Sequence, residues 1–215
     1  MVSWDDCWKD FLCDENVNLL DSITKYIDES QQKIRPNKDE VLEIFTLINP
    51  KEIRAIIIGQ SPYPNDDACG IPFVSANNNV PASLQNIVYE IEIEYGKCNI
   101  KDPNDMIRNW ILQGVFIINT SPTIGISGKE YLRDHSIIWK EFMIKLLEYI
   151  TKDTIPVLLF GKDAWSFEEN IKSKCILKVP HPVSRGDRKF LGCMVFTDTN
   201  KYLKSISSTE ITWFS

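Results

Sequence analysis

Four short, predominantly apolar runs constrain the fold more than anything else in the chain: IRAIIIG (Ile53–Gly59), VFIIN (Val115–Asn119), IPVLLF (Ile155–Phe160) and CILKV (Cys175–Val179). Strands with little apolar and polar alternation need cover on both faces, the condition met in a parallel sheet. The segments between them carry apolar residues at helical spacing. Asn37 caps a helix over KDEVLEIFTLIN with Val41, Ile44, Phe45 and Ile48 on one face, and Ser83 caps a second with Leu84, Ile87, Val88 and Ile91, stopped by Gly96. A third runs from about Asp105 to Gln113, and a long fourth presents Ile138, Phe142, Leu146, Tyr149 and Ile150. A short helix is expected between the last two strands. The pattern predicts an α/β three-layer sandwich with a central four-stranded, mainly parallel sheet.

Each strand runs straight into a polar or glycine- and proline-containing segment: GQSPYP, NTSP, GKDAW and PHPVSRGDRK. Parallel strands bring all four segments to one edge of the sheet, the carboxyl edge, where open α/β sheets bind ligands. Ordinary βα turns have a similar composition.

With 215 residues, 43% of them hydrophobic, the chain can bury a full core and is expected to form one domain over 1–215, its first 34 residues a helical N-terminal part. No apolar run is long enough to span a bilayer and the first residues lack a signal-peptide core, so an intracellular protein of cytoplasm or nucleus is expected, without membrane association. Cysteines 7, 13, 69, 98, 175 and 193 form no C-x-x-C pair and there are two histidines, so zinc and iron–sulfur spacings are missing. Six reduced, mostly buried thiols, no metal and no cofactor are expected. A net charge of −6 excludes a broad nucleic-acid coat, because non-specific affinity comes from clustered Lys and Arg. Any DNA contact must be a local patch.

In order, the strand-end segments resemble the family-1 uracil-DNA glycosylases, whose pattern is GQDPYH, an aromatic soon after, a strand ending in Asn-Thr and a late HPSPLS loop. The matching residues are Gly59 to Pro64 (GQSPYP), Phe73, Val115 to Thr120 (VFIINT) and His181-Pro182. IRPNKDEVLEIF, VPASLQN, HSIIWKEF, FLGCMVFTDTNKYL and ITW extend the resemblance over residues 35–213. It implies a glycosylase that flips uracil out of DNA and hydrolyses the bond between base and sugar.

Under that resemblance Phe73 stacks on the uracil, Asn119 offers donor and acceptor to the pyrimidine edge, Tyr63 crowds C5 against thymine's methyl, and Gln60 completes the substrate pocket. His181, on its proline-flanked loop, donates from a neutral imidazole to the oxyanion that develops on the departing base. Of the two histidines, His135 at a helix start is the structural one. Ser83, Gly161, Lys162, Ser184 and Arg185 hold the DNA backbone through N–H groups, hydroxyls and a few cations.

Three positions depart from the pattern. Ser61 stands where the family has its catalytic Asp, Pro64 replaces the following His as in some viral members, and Arg185 lies nearest the position of the usual wedge Leu in a loop one residue shorter. A hydroxyl can hold water but cannot take its proton near neutrality, so Ser61 together with His181 implies a slowed glycosylase, with Asp66 or Asp67 in the same loop as candidate substitute bases. The alternative is a uracil- or DNA-binding module or replication scaffold on the same fold. Expected partners are single- or double-stranded uracil-containing DNA, a replication protein and a proteinaceous glycosylase inhibitor.

Overall fold

The computed structural model describes residues 6–77, 79–126, 129–184 and 189–215, and over 129–134 only the backbone. In chain order the elements are α1 (Asp14–Glu29), β1 (Ile34–Arg35), α2 (Ile44–Leu47), β2 (Ala55–Gly59), α3 (Ala82–Tyr95), α4 (Pro103–Leu112), β3 (Val115–Asn119), β4 (Ile124–Gly125), α5 (Lys129–Ile150), β5 (Val157–Phe160), α6 (Lys162–Trp165), β6 (Ile176–Val179) and α7 (Val195–Ser205). The main sheet has the order β3-β2-β5-β6, and its pairings are all parallel. Every residue of β2, β3 and β5 is buried, as the apolar runs require, while β6 at the edge is only partly covered. Two groups of helices supply the cover. One contains α1 and α5, and in the other α3 packs on α4 and α7. The result is the three-layer α/β architecture expected of the sequence.

Register turns this topology into a site. Gly59 pairs with Asn119 across β2 and β3, and Phe160 pairs with Val179 across β5 and β6. Residues opposite one another in a parallel ladder present their side chains to the same face, so the four strand ends open onto one edge at matched height.

The helix expected over 37–48 is reduced to α2. Glu40 accepts hydrogen bonds from the backbone and side-chain N–H groups of Asn37, and Leu42 adopts φ 64°, which ends any continuous helix. Leu42 is 6% exposed, so its burial overrides the helical preference of the segment. The second helix starts two residues earlier than expected: Pro81 occupies its N-cap, and Ser83 lies within the first turn. In α4 the cap is Asp102, whose carboxylate accepts from the Asn104 N–H at 2.8 Å. His135 lies inside α5, not at its start, fully buried with Nδ1 2.7 Å from Thr123 Oγ1. The cysteines are less buried than expected: all six are free thiols, five of them half-buried and Cys13 exposed. Among the described residues no helix is long and apolar enough to cross a membrane.

Candidate functional site

A cavity of about 150 Å³ opens at the carboxyl edge, lined by Gln60, Ser61, Tyr63, Phe73, Ser83, Asn119 and His181 along with apolar neighbours such as Leu42 and Ile71. These residues come from five separated stretches of chain. The sheet order is what brings them together, since β2 lies between β3 and β5.

The cavity floor depends on Gly59. A methyl carbon placed there would lie 2.4 Å from Asn119 Oδ1 and 3.0 Å from Phe73 Cζ, so the missing side chain leaves room for amide and ring side by side. Phe73 is held in the left-handed region at φ 68°, which a bulky residue adopts only when its surroundings compel it, and such outliers cluster at functional sites. Two features hold it there. Its carbonyl accepts from Tyr63 Oη at 3.0 Å, and its ring packs on Phe160 with centroids 5.8 Å apart. Tyr63 is thereby fixed against the cavity, and burial raises its phenol pKa far above the ordinary value.

His181 closes the opposite side. Its Nδ1 accepts from the Val183 N–H at 3.3 Å, which leaves Nε2 as the protonated nitrogen of a neutral ring. Burial depresses the imidazole pKa, and the nearby Asp163 carboxylate opposes that shift without reversing it. The loop is tied down further by Asn86 Nδ2, which donates to Pro182 O at 2.7 Å. Gly161, at φ 94°, gives His181 its seat: a methyl on Gly161 would lie 3.0 Å from His181 Cβ.

The expected backbone-binding residues fall on the rim. Ser83 lines the cavity from the first turn of α3, and Gly161, Lys162 and Ser184 line an adjoining cleft with Gln60 and His181. Arg185 lies outside the described residues.

Neither aspartate suggested as a substitute base lines the cavity. Asp66 pairs with the buried guanidinium of Arg35. Asp67 is buried and accepts from Asn77 Nδ2 at 2.8 Å, Asn65 Nδ2 at 2.9 Å and Ser75 Oγ at 3.1 Å, bonds that hold its pKa low despite burial. Both knit their loop together. Among the described residues, the carboxylate that does reach this region is Asp163, which sequence reasoning missed. It borders one cleft with Gln60 and Ser61 and another with Gln60 and His181, and it accepts from Gln60 Nε2 at 2.5 Å. Nothing in GKDAW separates it from an ordinary turn residue.

Also unforeseen is a clamp from α3. Glu90, fully buried, accepts from the N–H groups of Gly192 and Met194, and Glu94 accepts from those of Phe196 and Thr197, so two carboxylates one helical turn apart anchor the start of α7. Cys193 Sγ lies within 4.8 Å of both carboxylates, an arrangement that could hold a metal ion, although these oxygens already serve backbone donors.

The family model "UDG: Uracil DNA glycosylase superfamily" matches residues 45–204. The chain belongs to the uracil-DNA glycosylase superfamily. A uracil-DNA glycosylase of Aliarcobacter butzleri is 31% identical over 223 residues, 96% of this chain and 99% of that protein. One from Mycoplasmopsis pulmonis is 28% identical over 218 residues, 96% of each. The crystal structure of mimivirus uracil-DNA glycosylase superposes with TM-score 0.80 at 25% identity, covering 98% of this chain and 87% of that one, and a mimivirus variant in complex with UGI matches equally well. The cavity of this glycosylase-superfamily chain thus occupies the carboxyl edge of the shared fold.

Proposed function

We propose that this protein excises uracil from DNA by hydrolysing the N-glycosidic bond, at a rate limited by the serine at position 61. The observation that carries the reading is the meeting of Phe73, Asn119, Tyr63 and His181 in one small cavity at the sheet edge. A flipped pyrimidine lies on the Phe73 ring with its edge on the Asn119 amide, which supplies one donor and one acceptor as uracil demands. Tyr63, pinned by its bond to the Phe73 carbonyl, crowds the C5 side. Ser83 near the amino end of α3, with Gly161, Lys162 and Ser184 on the rim, takes the flanking phosphates through N–H groups, hydroxyls and one cation.

As the bond breaks, its electron pair leaves with N1 and negative charge spreads to the base carbonyl. His181 Nε2–H is a fixed donor for that charge, and it strengthens as the transition state forms. A neutral imidazole is sufficient for the task, because its N–H bond to the base strengthens as the acceptor oxygen becomes anionic. Water attacks the sugar from the side of Ser61, which holds it without deprotonating it. General-base help is worth about 10²–10⁴ in rate, so excision is slower than with a carboxylate there. Binding of a UGI-type inhibitor is also expected, supported by the mimivirus relative solved with UGI.

Ser61 also supports a second reading, a uracil-DNA-binding module that keeps the pocket without turnover. An alkaline-cleavage gel with single- and double-stranded oligonucleotides, each holding one uracil, separates the two. Cleavage confined to uracil-containing strands is the expected result, and tight binding with no cleavage would favour the module.

A further inference from the structure

Resting on that functional reading, the geometry points to Asp163 as the carboxylate that receives the proton of the attacking water. Ser61, the residue proposed to hold the water, lines the cavity with a hydroxyl. Among the described residues, Asp66 is committed to Arg35 and Asp67 to Asn65, Ser75 and Asn77. Asp163 instead borders the cleft that shares Gln60 and Ser61 with the base cavity, and also the cleft that shares Gln60 and His181. Its Oδ2 accepts from Nε2 of Gln60, the residue next to Ser61, and Oδ1 is the oxygen assigned to the proton.

In the step, water held by Ser61 forms a bond from its oxygen to C1′ while the C1′–N1 bond breaks. The electron pair of that bond leaves on the base, and the water proton passes to Asp163 Oδ1. His181 Nε2–H stabilises the departing anion throughout. The same carboxylate opposes the positive charge on the sugar, an interaction that grows toward the transition state and so appears in turnover and not in ground-state affinity.

Asp163→Asn tests this cleanly, because an asparagine oxygen still accepts from Gln60 and only the charge and basicity are lost. Single-turnover excision from one uracil-containing oligonucleotide is compared for the parent, Asp163→Asn, Ser61→Asp and the double variant, alongside melting temperature and free-uracil affinity. Asp163→Asn is expected to slow excision at least about 10-fold with melting and uracil affinity unchanged, and the double variant is expected to match Ser61→Asp. Parent-like excision by Asp163→Asn overturns this inference alone, as does an equal fractional loss in both backgrounds, which would make Asp163 a positioning residue for Gln60. No excision by the parent overturns it together with the functional reading.

Discussion

Gly59→Ala is the smallest change that attacks the base pocket directly. Gly59 lies in β2 with ordinary extended backbone, so alanine meets no conformational penalty. Its methyl carbon, however, would stand 2.4 Å from Asn119 Oδ1 and 3.0 Å from Phe73 Cζ. Carbon–oxygen contacts normally begin near 3.3 Å, so the amide must retreat by roughly 1 Å. The ring cannot yield in its place, being backed by Phe160, which packs in turn on Phe190 with centroids 5.2 Å apart. A misplacement of about 1 Å can cost on the order of 10²-fold in rate, and overpacking costs about 1–3 kcal/mol of stability. Single-turnover excision with calorimetric binding of free uracil and thermal melting measures both effects. The expected result is a folded protein with excision down about 100-fold and weakened uracil binding. Excision within threefold of the parent and unaltered uracil affinity would refute the claim that Asn119 and Phe73 read the base.

Asn119→Asp should shift the pocket from uracil toward cytosine, since a carboxylate accepts where the amide donates; calorimetry with the free bases tests it, and an unchanged preference argues against the assignment. The lowered His181 pKa means that the neutral ring persists below the ordinary imidazole value of 6.5 and is lost only as pH falls through its depressed value. The acid limb of the pH–rate profile that disappears in His181→Asn should therefore lie below 6.5, and a limb above 6.5 would contradict it. Burial pushes the Glu94 carboxyl up to about 7 from 4.5, so the folded state binds more protons in that window and stability falls as pH rises through it. Denaturation across pH 4.5–7 should show this decline, and Glu94→Gln should flatten it.

The sheet was legible because burial on both faces leaves a plain mark. The runs at 53–59, 115–119, 155–160 and 175–179 became β2, β3, β5 and β6 with trimming of up to two residues at their starts. The family motifs likewise marked the stretches that converge on the cavity. Contacts set by tertiary structure left no such mark. The periodicity of residues 37–48 reads as a helix, yet burying Leu42 beside the cavity demands a left-handed residue that no local pattern announces. Glu90 and Glu94 look like a solvated helix face until α7 is placed on them. The two-residue ladder of β1 with β4 is too short to show periodicity. Asp163 was invisible because its contact with Gln60 comes from the adjacency of β2 and β5, which brings Gln60 beside α6. Asp66 and Asp67 were misleading for the converse reason: closeness to Ser61 in sequence did not carry either into the cavity.

The central claim is that the pocket is built for uracil excision and that Ser61 limits its rate. The direct test is the single-turnover excision rate of Ser61→Asp against the parent on one uracil-containing oligonucleotide, with binding affinity measured in parallel. Water activation and the charge opposing the cationic sugar act in the transition state, so the account predicts a rate at least about 10-fold higher with affinity equal or slightly weaker. An unchanged rate with Ser61→Asp, or no excision by either protein, would contradict it.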